Sequence, residues 1–332
     1  MSKTYRLFDH QKEDTTALFA LYEATYGDAS PYARRWNWEI NQNPSKRDIK
    51  IFIAEHENQI VGATTRFPFQ LRSNDRIIDC AFSGNSMVHP DFRRQGIMEQ
   101  LYEKASEVIP LLYSKGTMPG MYKLLMKMGY TPVYPNTYMT CILSFPRWFL
   151  WRTNKYHPEV NIDNLPLDTM AGFHKIDQFD GSMDDFWKNA ALSFPHIIQK
   201  DKDYLNWRYF QIPHRHYKVL CRRQGSKISS VTVINGSGTT AKIVDILWNR
   251  DNPAEPAQTI KNIKKACKCC GYLKILCWGT HKDLRNALKK NGFWDRGETS
   301  RFSVFSKQEP VANYTNSLNF HFVEADGDAE YL

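Results

Sequence analysis

The chain has 332 residues, of which 42% are hydrophobic and 14% aromatic, so it can bury a substantial core and is not intrinsically disordered. Its apolar runs fall short of the roughly 20 residues that a membrane helix needs. The polar N-terminus has no secretory signal, and seven cysteines without framework spacing indicate reduced thiols, so we expect a cytoplasmic protein without a membrane span. The net charge of +9 favours a polyanionic or phosphorylated partner.

The periodicity of the first half predicts a mixed α/β unit with several strands and three helices. The predicted elements are, in chain order, a helix at 14–27, two strands within 49–71 joined by a turn at Glu57-Asn58, a strand at 76–88, a helix directly after it, a strand at 110–116, a helix at about 118–128 and a strand at 137–145.

The second half partly repeats this order. Residues 146–172 contain several Pro and Asn residues and predict a boundary between two domains, 1–150 and 151–332. The predicted elements after it are strands at 217–223, 227–236 and 241–248, a helix at 254–271, a strand at 272–279, a helix at 281–293 and a strand at 299–306. Few residues are identical between the halves, so the chain has a duplicated architecture more than a sequence repeat.

The stretch SMVHPDFRRQGIM, residues 86–98, leads from a strand into a helix through two arginines and a glycine. The first N–H groups of a helix lack partners and favour anions. Gly96 would let the backbone approach a phosphate closely, and Arg93 and Arg94 would add charge-assisted donors. Arginines are unfavourable at a helix start without a partner anion. The stretch lacks the three glycines of a dinucleotide fingerprint and the Gly-Lys-Ser/Thr of a P-loop.

This stretch resembles the acyl-CoA pyrophosphate loop of the GCN5-related N-acetyltransferase (GNAT) superfamily. That pattern is Arg or Gln, two residues, Gly, one residue, then Gly or Ala, after a valine and often a proline. The matching residues are Val88, Pro90, Arg93, Arg94, Gln95 and Gly96, and Ile97 suits the buried side of the helix. Met98 departs from the pattern, because it stands where a small residue is expected.

The resemblance implies a tandem GNAT fold, in which two similar domains each have a central mixed, mostly antiparallel sheet flanked by helices. It also implies that acetyl-CoA, or another short acyl-CoA, binds at Met87, Val88 and residues 93–98, without a metal. A backbone N–H at Met87 or Val88 would stabilise the oxyanion. The nearest candidates for the general base are Asp79 and His89.

The catalytic acid is less well matched to the superfamily. The tyrosine that often protonates the leaving thiolate would stand at Leu125, so Tyr122, Tyr113 or water is expected to replace it. The second half has no Arg-x-x-Gly loop, because WNRDNPAEPAQTIKN, residues 248–262, stands in its place. We therefore expect the second domain to shape the acceptor site or stabilise the pair without binding CoA.

A second resemblance is to two-domain enzymes of bacterial surface-polysaccharide synthesis. It is carried by KDKDYLNWRYFQIP, residues 200–213, and by the acidic end DGDAEYL. It implies N-acyl transfer to a primary amine of an amino sugar or nucleotide-linked amino sugar. Trp207 and Arg208 are then candidates for stacking on the sugar and binding phosphate, and the alternative is that this aromatic helix face packs between domains.

Other motifs and functions stay open. The cysteines of residues 264–271 fit a helix core better than a zinc site, and PRWFLWR, residues 146–152, resembles an interfacial membrane segment or a packed junction. One rival function is a tRNA-dependent aminoacyl transferase of the tandem type, and another is a non-catalytic module that binds CoA or nucleic acid. We expect a small-molecule amine as the acceptor and no stable nucleic acid complex. The sequence is compatible with a homodimer.

Overall fold

The computed structural model describes residues 5–11, 14–45, 48–167, 170, 172–249 and 251–326. The strands in these residues are β1 (Arg6–Asp9), β2 (Lys50–His56), β3 (Gln59–Ser73), β4 (Arg76–Val88), β5 (Leu111–Ser114), β6 (Thr131–Pro132), β7 (Thr137–Ile142), β8 (Phe173–Lys175), β9 (His196–Ile198), β10 (Lys218–Gln224), β11 (Lys227–Ser237), β12 (Thr240–Trp248), β13 (Lys274–Trp278), β14 (Trp294–Thr299), β15 (Ser303–Phe305) and β16 (Phe320–His321). The α-helices are α1 (Thr15–Tyr26), α2 (Ser30–Trp36), α3 (Ile97–Val108), α4 (Pro119–Lys127), α5 (Phe145–Arg152), α6 (Gly181–Ala190), α7 (Lys202–Phe210), α8 (Glu255–Cys269) and α9 (Lys282–Lys290).

The chain forms two compact units. Unit 1 comprises Met1–Leu71, Arg76–Val133 and Arg301–Thr315, and unit 2 comprises Arg72–Asp75, Tyr134–Ser300 and Asn316–Leu332. This division differs from the sequence-based domains 1–150 and 151–332 at two places. Residues 134–150 belong to unit 2, because β7 pairs with β13 and β14. Residues 301–315 belong to unit 1, because β15 pairs with β5 and β6.

Unit 1 contains a sheet in the strand order β1-β2-β3-β4-β5-β15-β6. Within it β4 and β5 are parallel, and the pairs β1–β2, β2–β3, β5–β15 and β6–β15 are antiparallel. The β2–β3 hairpin turns at Glu57 and Asn58, which both have positive φ (48° and 61°), as a tight hairpin turn requires. The predicted turn and the predicted strand 76–88 are both confirmed.

Alternating residues of this sheet supply two hydrophobic cores, one on each face. One core includes Ile51, Ile53 and Met87 and packs against α1 and α2. The other includes Phe52 and Ala54 and packs against α3 and α4. The sheet is therefore covered on both faces, and the functional candidates lie where β4 meets α3.

Unit 2 contains a sheet in the strand order β8-β10-β11-β12-β13-β7-β14, in which β12 and β13 are parallel and the other registered pairs are antiparallel. Each strand of this sheet takes a position equivalent to that of one strand in the sheet of unit 1. In each sheet the fourth and fifth strands are the parallel pair, and the sixth strand comes from the opposite half of the chain. The predicted fold class, two similar mixed sheets flanked by helices, is confirmed.

Candidate acyl-CoA site in unit 1

Among the described residues, no strand pairs with the C-terminal part of the β4 edge that faces β5, and we call this part the open edge of β4. The two strands pair at Cys80–Phe82, and β5 ends at Ser114, whereas β4 continues to Val88. The His89 amide donates to the carbonyl of Val61 on β3, with an N–O distance of 2.9 Å. Successive residues of a strand direct their N–H groups to opposite sides. The N–H of Met87 therefore faces β3, as that of His89 does, and the N–H of Val88 faces the open edge.

The loop after β4 leads into α3 with a backbone shape that few residues adopt. Arg94 has a φ of 62° and Gly96 a φ of 77°, and Gly96 is the N-cap of α3 without a side-chain cap. A Cβ on Gly96 would meet only Gln100 Nε2, at 4.0 Å. The first amide groups of α3 therefore point out of an uncrowded turn, which suits an anion.

Hydrogen bonds from three side chains stabilise this loop. Arg93 Nε donates to the Val88 carbonyl at 3.3 Å, and Gln95 Nε2 donates to the Asp91 carbonyl at 3.1 Å. The Tyr5 hydroxyl donates to Gln95 Oε1 at 2.6 Å. Arg93 and Arg94 are exposed, and neither forms an ion pair with any residue that the structure describes. Both guanidinium groups are thus available to phosphate.

Ile97 and Met98 lie on the inner side of α3. Both are buried in the hydrophobic core under the helix. Gly62 on β3 is the close neighbour of Ile97, since a Cβ on Gly62 would lie 2.6 Å from Ile97 Cγ2. Met98 therefore packs in the core, and its departure from the small residue of the loop pattern leaves the phosphate side of the turn open.

The predicted acid and base candidates lie at different distances from this edge. His89 is close, but its Nδ1 accepts from the Asp91 amide at 3.3 Å and so caps the turn Pro90–Phe92. Asp79 is exposed near the start of β4, about 30 Å from Val88 at a strand rise of about 3.3 Å per residue. Tyr122 is half-buried on α4. Tyr113 is buried among aromatic rings, and this burial raises its pKa well above the ordinary value.

Glu39 is a carboxylate near the site that sequence reasoning missed. It is buried in the π-helical turn Asn37–Asn41 and accepts from Asn85 Nδ2 at 3.1 Å. Asn85 has a φ of 47° and lies three residues before Val88. Burial raises the pKa of Glu39, opposed by the charge of Arg35 and the Asn85 hydrogen bond. No pattern in the sequence marks Glu39, since its burial depends on the packing of α2 against the sheet.

A polar cluster on the opposite face of β4 was also missed. Ser86 Oγ lies 2.7 Å from Thr64 Oγ1 and 3.0 Å from the Tyr102 hydroxyl. Arg66 donates to Thr64 Oγ1 at 2.5 Å, and its guanidinium lies 4.1 Å from the Tyr102 ring centroid. Arg66 is fully buried, and its Nε and Nη2 have no hydrogen-bond partner among the described residues. Polar residues at alternate, inward positions of β3 are the signal that could have identified this cluster.

Comparisons with known proteins give a domain match and similar folds. Residues 7–131, less than half of the chain, match the family model for an acetyltransferase (GNAT) domain. None of the curated proteins compared with the chain matches it significantly. A probable N-acyltransferase of unknown function from Enterococcus faecalis V583 superposes with a TM-score of 0.66 and 13% identity, covering 92% of this chain and 73% of that one.

Two further structures are similar. A GCN5-related N-acetyltransferase from Anabaena variabilis has a TM-score of 0.62 and 13% identity, covering 91% of this chain and 72% of its own. The Saccharomyces cerevisiae N-myristoyltransferase with bound myristoyl-CoA has a TM-score of 0.57 and 11% identity, covering 97% of this chain and 87% of its own. Such low identities establish the fold alone.

The chain has the GNAT fold, built twice. The domain match in its first part and this fold support an acyltransferase. The open edge of β4 and the loop at Gly96 are the parts of the fold that suit acyl-CoA. Among the described residues, no group of three or more His, Cys, Asp or Glu is placed to hold a metal ion.

In unit 2 the start of α8 is equivalent to the loop before α3 in unit 1, but it is arranged differently. The α8 helix has Ala254 as its N-cap, without a glycine turn, and Glu255 in its first turn is fully buried. The Glu255 carboxylate accepts from Arg222 at 2.6 Å and from Ser230 at 2.9 Å. A negative charge from the chain itself thus lies at the helix N-terminus, where it interacts favourably with the helix dipole.

The strand gap of unit 2 is filled by the C-terminal segment Phe320–Asp326. The β12–β13 pairing ends at Ile243 and Cys277, and beyond it the Thr280 amide donates to the Phe322 carbonyl at 3.0 Å. Lys200, which is fully buried, lies 2.9 Å from Asp245 on β12 and 2.8 Å from Asp326. In unit 2 the chain itself therefore takes the place that is open in unit 1.

The two stretches behind the polysaccharide resemblance meet at this segment. Arg208 Nε donates to the Ala325 carbonyl at 3.1 Å, and Lys200 binds Asp326. Trp207 and Arg208 are both buried, which favours packing over sugar binding. Only Asp326 of DGDAEYL can be placed, because residues 327–332 lie outside the described part of the chain.

Proposed function

We propose that the protein is an N-acyltransferase that moves a short acyl group from acyl-CoA, bound at the N-terminus of α3, to a primary amine. The observation that carries this proposal is the open edge of β4 beside an uncapped helix start at Gly96. The pyrophosphate would contact the first amides of α3 together with Arg93 and Arg94. The pantetheine arm would run along β4 beyond Phe82.

The reaction needs one bond made, one bond broken and one proton moved. The amine nitrogen bonds to the acyl carbon, the C–S bond breaks, the amine loses a proton and the thiolate gains one. Val88 N–H is directed to the open edge and is our candidate donor to the carbonyl oxygen as it gains charge. Glu39 is a buried carboxylate bonded to Asn85, three residues before Val88, and we assign it the proton from the amine. Tyr122 is the candidate donor to the thiolate.

The acceptor that we propose is an amino sugar or a nucleotide-linked amino sugar. Support for this class comes from the polysaccharide resemblance and from the net charge of +9, which suits a phosphorylated acceptor. The seven cysteines are all unpaired, which supports a reducing, cytoplasmic location. Assays with nucleotide-linked amino sugars, free amino sugars and lysine peptides would rank the acceptors.

The experiment that tests the donor site is calorimetric titration of acetyl-CoA into wild type and Gly96→Glu. We expect wild type to bind with a Kd of about 1 µM, or about −8 kcal/mol. The variant should not bind, because it places a carboxylate at the phosphate turn and a side chain at a φ of 77°. Gly225→Glu is the matched control, because Gly225 has a φ of 62° in an exposed hairpin of unit 2. Equal affinities for all three proteins, or no binding by folded wild type, would refute the proposal.

A further inference from the structure

The surface of α5 is unusually apolar for an exposed helix. None of its residues is buried, although its sequence is FPRWFLWR. Phe145 is 63% exposed, Phe149 62%, Leu150 41% and Trp151 37%. Exposed apolar side chains scattered singly are normal, whereas a contiguous cluster marks an interaction surface.

Positive charge surrounds this cluster. Residues 144–158 contain Arg147, Arg152 and Lys155 but no Asp or Glu, and all three cations are exposed. The arginine side chain of Arg152 also lies over the Trp148 ring, 5.2 Å from its centroid. Aromatic side chains interleaved with arginine are typical of segments that lie at the interface between lipid and water.

A cavity of about 640 Å³ lies beside α5, and its lining is also rich in aromatic and cationic side chains. Three tryptophans (Trp148, Trp151 and Trp294) and three cations (Arg152, Lys274 and Arg296) line it. Asp295, the acidic residue between Trp294 and Arg296 on β14, is bonded to Arg285 Nη2 at 2.8 Å. The cavity thus combines apolar walls with positive charge. This combination suits a phospholipid, whose phosphate would contact the cations and whose glycerol and acyl carbons would contact the rings.

We propose that α5 and the adjacent cavity dock unit 2 onto an anionic phospholipid surface. Phe145 and Phe149, which lie four residues apart on one side of the helix, would enter the headgroup region, and Arg152 and Lys155 would contact lipid phosphates. No described helix is long and apolar enough to cross a bilayer, so the contact is peripheral. A two-fold contact with a second copy fits less well, because it would bring these cations against their own equivalents.

The test is co-sedimentation with phosphatidylcholine vesicles that contain or lack phosphatidylglycerol. We expect wild type to bind only the anionic vesicles, and to bind them less at about 1 M salt, where the Debye length is about 3 Å. Phe149→Glu should weaken binding about tenfold or more, because it removes an inserted ring and adds a repelled charge.

Ile77→Glu is the matched control, since Ile77 is an exposed apolar residue of β4 in unit 1, and it should bind as wild type does. Thermal unfolding of both variants would show that each is folded. The proposal is wrong if wild type ignores anionic vesicles, if it binds neutral vesicles equally, or if Phe149→Glu binds unchanged. A dimer in solution that Phe149→Glu dissociates, without vesicle binding, would assign the surface to a second copy.

Discussion

The buried carboxylate of Glu39 is compatible with two roles, one structural and one catalytic. Its hydrogen bond to Asn85 and the charge of Arg35 would serve a structural residue equally well. The position favours chemistry, because a π-helical turn and a positive φ, both frequent at functional sites, occur on the two sides of this bond. A raised pKa also suits a base that must accept a proton near neutral pH.

We predict that Glu39→Gln lowers kcat about 100-fold or more, in the range expected for loss of a general base. The amide keeps the shape of the side chain and can still accept from Asn85, so acetyl-CoA affinity and thermal stability should change little. In wild type, kcat/KM should rise with pH as Glu39 ionises at its raised pKa, and this limb should be absent from the variant. Steady-state kinetics across pH, with calorimetry of acetyl-CoA binding, would measure both effects.

Glu39→Asp provides the matched variant, because it retains the carboxylate but shortens it. It should recover part of the rate and the pH limb. If Glu39→Gln instead loses stability while its kcat is unchanged, the carboxylate has only a structural role and the base lies elsewhere.

At the scale of the element, the C-terminal segment Phe320–Asp326 contains one buried histidine, His321, and packs against another, His281. The His321 ring stacks on Phe194 with centroids 4.2 Å apart, and the His281 ring contacts Phe194 edge-on at 5.0 Å. Burial lowers the pKa of His281 from 6.5 to about 4, with a smaller opposing effect of Asp283 and a reinforcing one of Lys282. Burial also lowers the pKa of His321, reinforced by Lys200 and His281.

We predict that unit 2 loses stability as the pH falls from 6.5 towards 4. An unfolded histidine takes up a proton below pH 6.5, whereas folded His281 stays neutral until about pH 4, so protons favour the unfolded state. His281 alone contributes about 3 kcal/mol to this loss, at about 1.36 kcal/mol per pKa unit. Urea unfolding across this pH range would measure the slope.

His281→Asn is the variant that isolates the effect. The asparagine oxygen can still accept from the Asp283 amide, as His281 Nδ1 does at 3.3 Å, so the cap of α9 is retained. The free energy of unfolding of this variant should depend less steeply on pH than that of wild type. Identical slopes for both proteins would show that His281 does not resist protonation in the fold.

Elements whose periodicity reflects their burial could be predicted from the sequence. Strand 76–88 and the helix after it were identified from local pattern, and the turn at Glu57-Asn58 from its residues. The α5 helix was missed, because a helix that buries none of its residues has no apolar stripe to detect. The pairing of β15 with β5 was also missed, since about 190 residues separate them and no local pattern encodes a partner so distant.

The site was predictable to a similar extent. The loop at Gly96 carries its chemistry in adjacent residues, so its sequence sufficed to make it a candidate. Glu39 depends on tertiary packing and could not be assigned to the site beforehand, whereas the alternating polar residues Thr64 and Arg66 of β3 were a signal for their cluster. Trp207 and Arg208 have the composition of a ligand site, but the contact of Arg208 with Ala325 arises from chain segments that are more than 100 residues apart.

For the whole molecule, the exchanged sixth strands make each unit depend on the other half of the chain. Ser303–Phe305 pairs with both β5 and β6, and Phe305 stacks on Tyr130 with centroids 5.0 Å apart. Unit 1 therefore requires residues beyond 300, although the loop that we propose for acyl-CoA ends before residue 100.

We predict that a chain ending at Ser300 does not bind acetyl-CoA, whereas a chain ending at Thr315 does. Both lack the C-terminal segment of unit 2, and they differ only in residues 301–315, which complete the sheet of unit 1. Calorimetry and limited proteolysis of the two fragments would make the comparison. Equal binding by both would mean that β15 is dispensable for the acyl-CoA loop.

The exchange of β15 also sets the order in which the protein can fold during synthesis. About 170 residues separate β6 from β15, and a ribosome needs about 10–30 s to add them at 5–20 residues per second. During that time the nascent unit 1 exposes the edge of β5, a state in which chains are prone to mispair. Folding from the N-terminal domain onwards, the usual course for proteins of two domains, cannot finish here until nearly all of the chain has left the ribosome.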